Sequence, residues 1–347
     1  MAIQATKKIL IIKLGALGDV FRTTTLLHGL KRRFPESRIT WITSKAACGL
    51  LENNPYINRI LVFTGQTINL LKPESFDILI SLDKEEKPTM LAMDIKADKK
   101  IGFGRDKHSQ LYSLNKESEY AYRLGISDEL KFRLNKKTYP KIIYEMCSCD
   151  YKKDKYILSL SQEDIRMAEE RLRGSGIGDR DFVIGLNTGS GNRFANKTWS
   201  LDSYKRFIER VVNETDAKVL LLGGQGEKNI IRRLQSSFKD KVYSSGCDNT
   251  LKEFAAIVKR CDMMLTGDTL AMHIGIALNR YVMVLFGPTC HQEIELYGKG
   301  SKLMSEIECS PCYKKVCDKK DNCMSRISPD RVFKQVKRYI VRDIGTV

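Results

Sequence analysis

The stretch Ile9-Leu10-Ile11-Ile12-Lys13-Leu14-Gly15-Ala16-Leu17-Gly18-Asp19 contains the pattern on which the chain is built. Four consecutive apolar residues bounded by lysines read as a strand buried on both faces, the mark of a parallel sheet. Two glycines three apart follow, allowing a tight turn and a close approach of backbone to a ligand. A helical pattern then begins, with Val20, Leu27, Leu30 and Phe34 on one side and Pro35 as its stop. Asp19 falls at the start of that helix, at the carboxyl end of the strand. Two roles are open to it there: a cap for a backbone N–H, or a general base taking a proton from an attacking hydroxyl.

Working outward, the same strand-then-helix pattern recurs. Strands are expected at Ile39–Thr43, Arg59–Phe63, Phe76–Ser81 and, shorter, Lys100–Phe103, with helical segments between them. Between Tyr139 and Asp154 the pattern dissolves into a polar, lysine-rich stretch, which predicts a linker there or slightly later. A second half restarts with a helix at Ser161–Arg173, the strand Phe182–Leu186, a helix at Thr198–Asn213 and a strand at Lys218–Leu222. Helices at Glu227–Phe238 and Leu251–Lys259 follow, then strands at Met263–Leu265 and Tyr281–Phe286 flanking the helix Thr269–Leu278. An amphipathic helix from Pro329 to Arg342 closes the chain. Two successive α/β halves predict a GT-B architecture: two Rossmann-like α/β/α domains with parallel sheets facing a central cleft. The boundaries expected are 1–155, 156–328 and a C-terminal helix at 329–347 able to pack back on the N-terminal domain.

Length and composition agree with two soluble domains: 347 residues, 42% hydrophobic and 29% charged. No run approaches the roughly 20 apolar residues that span a bilayer. The apolar run after Lys8 is too short for a secretory signal, so a cytoplasmic protein is expected. The net charge of +17 favours anionic partners such as phosphorylated substrates or acidic lipid headgroups, or reflects a generally basic proteome. A nucleic-acid binder is not expected, because no helix-turn-helix, RNP or zinc-finger pattern accompanies the charge. A nicotinamide-dependent oxidoreductase is also disfavoured, since the glycine spacing is GxxG rather than GxGxxG.

Two further strand ends carry chemistry. Asn187-Thr188-Gly189-Ser190-Gly191, followed by Asn196-Lys197-Thr198-Trp199, joins a glycine- and hydroxyl-rich loop to a lysine. Loop N–H groups, the Thr188 and Ser190 hydroxyls and the Lys197 ammonium suit a diphosphate; a surface loop with an exposed lysine is the plainer alternative. In Thr266-Gly267-Asp268-Thr269 a strand end passes into a helix. Thr269 and the first helical N–H groups can hold phosphate, Asp268 can bind sugar hydroxyls, and His273 lies one turn on along the same face. A capped helix with a core histidine is the alternative.

Asp179-Arg180-Asp181 spells the DxD that many transferases use to hold a metal. It precedes its strand, at the amino end, and reads as a solvated turn, so no catalytic metal is expected. Ten cysteines without a signal peptide argue against a disulfide framework. Four of them, Cys309, Cys312, Cys317 and Cys323, fall within fifteen residues and suit a structural zinc or iron, free thiols, or one or two disulfides.

Taken together and in this order, these segments resemble glycosyltransferase family 9, the bacterial ADP-heptose:lipopolysaccharide heptosyltransferases. The resemblance runs from Ile9 to about Val341. It rests on Lys13–Asp19, Lys197-Thr198-Trp199, Gly267–His273 and Gly287-Pro288-Thr289; Leu270 stands where many members carry glycine. It implies an inverting, metal-independent transferase with an acceptor-binding N-terminal domain and a nucleotide-sugar-binding C-terminal domain. The donor implied is ADP-heptose. The acceptor implied is the lipid-linked inner core of lipopolysaccharide, at Kdo or the first heptose. Another nucleotide sugar, or another glycan or protein acceptor, is the alternative. Asp19 matches the family's base, Gly15 and Gly18 its acceptor loop, and Lys197 its phosphate lysine. Asp268, Thr269 and His273 match its donor turn, and Glu227 and Asn249 fall where nucleoside contacts occur. Peripheral contact with the inner membrane would follow from a lipid acceptor.

Overall fold

The computed structural model describes residues 6–190, 197–238 and 241–344. The chain divides into two compact units. The first comprises residues 1–159 together with 292–295, the second 160–291 together with 296–347.

In the first unit β1 (Lys8–Ile12), β2 (Arg38–Thr43), β3 (Arg59–Val62), β4 (Ser75–Ser81), β5 (Lys96–Arg105) and β6 (Leu111–Ser113) form one sheet in the order β3-β2-β1-β4-β5-β6. All neighbours are parallel except β6, which pairs antiparallel with β5. The four-residue apolar run of β1 serves two layers. Ile9 and Ile11 join the core on one face of the sheet, Leu10 and Ile12 that on the other. Alternate side chains of a strand point to opposite faces, so a strand covered on both sides must be apolar throughout.

The helices of this unit are α1 (Leu17–Thr23), α2 (Leu26–Arg33), α3 (Cys48–Leu51), α4 (Gly65–Leu71), α5 (Glu86–Asp94), α6 (Glu119–Arg123) and α7 (Tyr139–Met146). The single helix expected after Gly18 is thus two. Three consecutive threonines explain the break. Thr23, Thr24 and Thr25 hydroxyls donate to the carbonyls of Asp19, Phe21 and Arg22, at 2.7, 2.7 and 3.0 Å. Such back-bonding by a β-branched run competes with helix propagation.

The expected linker at Tyr139–Asp154 is also corrected. Tyr139–Met146 is a helix with Pro140 in its first turn, burying Ile142, Ile143, Tyr144 and Met146. Asp154 is tied back by Arg32 and by the Tyr144 hydroxyl, which donates to it at 2.7 Å. The lysines that made the stretch look polar lie on its outward side. β5 is longer than expected because its first half, Lys96 to Lys99, pairs with β4 through backbone bonds that need no apolar side chains.

The second unit carries β7 (Val183–Asn187), β8 (Lys218–Leu222), β9 (Val242–Ser244), β10 (Met263–Gly267), β11 (Tyr281–Phe286) and β12 (Gly300–Met304), all parallel, in the order β12-β11-β10-β7-β8-β9. Its helices are α8 (Gln162–Arg173), α9 (Leu201–Glu214), α10 (Lys228–Phe238), α11 (Leu251–Arg260), α12 (Leu270–Ala277) and α13 (Pro329–Ile344). α8 and α11 begin with full capping boxes, Ser161 with Asp164 and Thr250 with Glu253. The edge strands β9 and β12 were not foreseen, being short and largely polar. α13 buries Val332, Phe333, Val336 and Ile340 in the core of this second unit. That placement differs from a helix packing back on the N-terminal domain.

Candidate active site

Each sheet reverses its strand order once. In the first unit the reversal lies between β1 and β4, in the second between β7 and β10. Loops leaving the carboxyl ends of two such strands diverge to opposite faces, opening a crevice that binds ligands in open α/β sheets. Asp19, Lys197, Asp268, Thr269 and His273 fall at these two points.

At the first, Lys13 directly follows β1 and Asp83 follows β4. Their side chains form a buried ion pair, and Asp83 also accepts the Leu14 N–H. Burial opposes the lysine's charge, but the negative fields of its neighbours, Asp83 among them, hold its pKa above the ordinary value. A pair so placed fixes the loop that carries Asp19. The N-cap of α1 is Ala16, with no side-chain cap, and Asp19 lies in the helix's first turn. The capping role left open for Asp19 is therefore not the one it plays. Its carboxylate pairs with Arg22 at 2.9 Å and keeps 37% exposure. A Cβ on Gly15 would meet nothing within 4 Å, so crowding by the protein is not what calls for glycine there.

At the second point, Asn187 ends β7 and Thr266-Gly267 ends β10. The Asn187 amide donates to Gly189 O at 2.8 Å, to Thr266 Oγ1 at 3.2 Å and to Thr269 Oγ1 at 3.4 Å. Thr266 and Thr269 hydroxyls lie 3.0 Å apart. Thr269 is the N-cap of α12, yet its hydroxyl makes no capping bond to that helix. The first-turn N–H groups thus receive nothing from this side chain, which suits an anion at a positive helix end.

Lys197 stands beside this turn. Its ammonium lies 3.0 Å from a carboxylate oxygen of Asp268 and donates to the Asp268 carbonyl at 3.1 Å. Burial pushes the Asp268 carboxyl up, but Lys197 and then His273 outweigh it and hold the pKa below the usual range. His273 is buried on α12. Gly267 permits the approach: a Cβ there would sit 2.6 Å from the Lys197 carbonyl oxygen.

The remaining predicted residues separate. Thr188 is 3% exposed, and its hydroxyl donates to Leu222 O at 3.3 Å, which commits it to the β7–β8 connection. Ser190 is half-buried at the edge of the loop, and Gly191–Asn196 lie outside the described residues. Glu227 accepts the Gly224 N–H at 2.9 Å and packs so closely on Gly189 that a Cβ there would come within 2.5 Å of its carboxyl carbon. Asn249 donates to Ser245 O and Gly246 O after β9 and accepts from Arg171.

The Asp179-Arg180-Asp181 turn lies before β7, where Arg260 donates to the carbonyls of Gly178, Asp179 and Asp181. It sits at the opposite end of the sheet from Lys197, as expected of a structural turn. The cysteine segment is anchored on the turn after β11: Cys312 N–H and Tyr313 N–H donate to Pro288 O, and Ser310 Oγ donates to Gly287 O. Cys309 is exposed and Cys323 buried. Among the described residues no three His, Cys, Asp or Glu side chains converge to hold an ion, so the thiols as placed do not form a ready metal site.

Sequence reading missed Asp83, Arg22, Tyr139 and Glu293. Arg22 had a local signal, since a residue three after Asp19 shares its helix face. Asp83 and Glu293 had none, because they reach the site only through the sheet and a distant segment.

Comparison with known proteins agrees with this layout. The lipopolysaccharide core heptosyltransferase OpsX of Haemophilus influenzae is 22% identical over 295 residues, covering 82% of this chain and 80% of its own. A glycosyl transferase family 9 structure from Veillonella parvula superposes with a TM-score of 0.76 at 21% identity, over 99% of both chains. The E. coli ADP-heptose lps heptosyltransferase II superposes at 0.69 and 16% identity, over 97% of this chain and 99% of that one. A family model described as glycosyltransferase family 9 (heptosyltransferase) matches residues 66–322. With two Rossmann-like units of the GT-B class and that match over most of its length, the chain belongs to glycosyltransferase family 9.

Proposed function

We propose that the protein transfers heptose from ADP-heptose to the inner core of lipopolysaccharide, at Kdo or the first heptose, with inversion. The observation that carries this reading is the second unit's switch point. There Lys197, Asp268 and the α12 N-terminus, uncapped by Thr269, provide cationic and N–H donors beside a carboxylate. In the step proposed, the acceptor hydroxyl gives its proton to Asp19 as its oxygen bonds to the anomeric carbon. The bond from that carbon to the diphosphate breaks, and its electron pair leaves with ADP. Lys197, Ser190, Thr269 and the α12 N–H groups meet the developing charge, so the step calls on no metal. Asp268 and His273 hold the sugar, Glu227 and Asn249 the nucleoside, and Gly15 and Gly18 leave room for the acceptor. Thr188, committed to the sheet, acts by holding the loop.

Asp19→Asn tests the base. Loss of about 10²- to 10⁴-fold in kcat with unchanged ADP affinity is expected; substantial residual transfer removes Asp19 from this role. For the acceptor, mass spectrometry of lipopolysaccharide from a strain lacking the gene should show a core truncated at Kdo or at one heptose, and the last sugar left names the acceptor. An intact core would end the heptosyltransferase reading in favour of another sugar or acceptor.

The zinc or iron expected at Cys309, Cys312, Cys317 and Cys323 remains a structural proposal, supported by spacing alone and outside the transfer step. Metal analysis of protein purified without oxygen decides it, with one ion per chain in support and none against. No described helix is long and apolar enough to cross a membrane. The proposed location is the cytoplasmic face of the inner membrane, held peripherally. Lys334, Lys337, Arg338 and Val341 support it, since together they line one shallow surface pocket on α13. Basic residues around an exposed apolar one suit an anionic lipid surface.

A further inference from the structure

Arg22 stands between two carboxylates. Its guanidinium lies 2.9 Å from Asp19 and 3.7 Å from Glu293, and its side chain is 12% exposed. It also stacks on the Tyr139 ring, 3.8 Å from the centroid. Tyr139 is pinned in turn, its hydroxyl 2.8 Å from that of Thr23. Glu293 belongs to the short segment 292–295 that is part of the first unit. Its carbonyl accepts the Tyr139 N–H at 2.9 Å, and the neighbouring Gln292 amide donates to Lys131 O at 3.0 Å. The backbone that carries this carboxylate is therefore tied to the first unit.

Resting on the reading of Asp19 as the base, we infer that Arg22 and Glu293 are positioning residues with opposed effects: Arg22 orients Asp19 and keeps it ionised, while Glu293 draws off part of that positive charge so that Asp19 stays basic enough to accept a proton. The physical reason is a conflict. A carboxylate beside an arginine has its pKa lowered by about 1–3 units, and a weaker base takes up a proton less readily. A second carboxylate on the far side of the same guanidinium relieves this. Burial opposes the charge on Arg22, but Asp19 and then Glu293 hold its pKa above the ordinary value. Among the described residues, the other ionisable groups that act on Asp19 include Lys13, neutralised by Asp83, and Tyr139; Tyr156 acts on Arg22, and Lys84 on Glu293's side. None of these is a second carboxylate in contact with Arg22.

The test is the pH profile of kcat, measured with saturating donor and acceptor, for Arg22→Gln, Arg22→Lys and Glu293→Gln beside Asp19→Asn. Arg22→Gln should move the acid limb up by about one pH unit or more. Arg22→Lys should return it most of the way. Glu293→Gln should move the limb down by roughly half a unit or more and lower the plateau. Donor KM should change less than about twofold in all three, since only the base is altered. Shifts of opposite sign support the inference. Unmoved limbs in Arg22→Gln or Glu293→Gln, or shifts of the same sign in these two, overturn it. If Arg22→Gln does not fold, Glu293→Gln still decides by the sign of its shift. Asp19→Asn separates the two levels: an active Asp19→Asn overturns the base and this inference together, whereas an inactive one with unmoved limbs overturns this inference alone.

Discussion

The Lys197 ammonium and the Asp268 carboxylate, 71 positions apart in sequence, meet at 3.0 Å at the mouth of the second sheet's switch point. Neither is a surface charge, with side-chain exposures of 13% and 19%. A partly buried cation already held by a carboxylate is preorganised: a diphosphate finds it in place rather than having to order a flexible chain.

Lys197→Ala should weaken ADP binding by about 10- to 150-fold, the worth of a charge-assisted hydrogen bond of roughly 1.5–3 kcal/mol. It should also destabilise the fold, because Asp268 loses its main counter-charge. Isothermal titration with ADP and urea unfolding measure the two effects. Pairing the change with Asp268→Asn should recover much of the stability but not the affinity. Unchanged ADP affinity in Lys197→Ala would refute the phosphate role.

Two glycines should respond differently to alanine. Gly267→Ala places a methyl 2.6 Å from the Lys197 carbonyl, a backbone atom that must shift, and a loss of about 1–3 kcal/mol in stability is expected. Gly15→Ala meets nothing within 4 Å, so stability should stay within about 0.5 kcal/mol. A rise in acceptor KM for Gly15→Ala at unchanged stability would then report on ligand approach. Denaturant titration beside steady-state kinetics provides the comparison.

Gly189→Ala pushes against the end of a flexible side chain, the Glu227 carboxylate, so the fold should accommodate it. Glu227 would be displaced from the Gly224 N–H. If Glu227 holds the nucleoside, ADP affinity should fall several-fold while inorganic pyrophosphate binding is retained. Equal losses for both ligands would place Glu227 at the phosphates instead.

Lys84 gives a pH dependence with a definite sign. Its ammonium is half-buried, donates to Ala121 O at 2.6 Å and lies 4.8 Å from the Phe103 ring centroid. Burial, and next the charge of Lys131, lower its pKa to about 8. The unfolded chain, with an ordinary lysine near 10.5, binds more protons than the folded one between these values. Stability from this group therefore rises with pH from about 8 to 10.5, and below 8 its destabilising effect is fully present. Lys84→Met should flatten that part of the stability–pH curve. Parallel curves for the two proteins between pH 8 and 10 would contradict the shift.

The sequence by itself determined the alternation of central strands and helices in each half. Short apolar runs rich in β-branched residues, such as Ile9–Ile12, suit strands covered on both faces, and alternation with helical patterns leaves few topologies besides a parallel sheet. It also pointed to Asp19, Lys197 and Asp268 as candidates, because ligand sites in such sheets follow the carboxyl ends of strands. Local competition misled it at Thr23-Thr24-Thr25, where hydroxyls bonded to the preceding turn, and at Tyr139–Asp154, where lysines masked a buried helix face. Tertiary structure alone decided which charges meet. Asp83 reaches Lys13 because β4 lies beside β1, and Glu293 reaches Arg22 because four late residues join the first unit. Coulombic interaction depends on distance in space, and no local pattern carries the distance between residues 22 and 293.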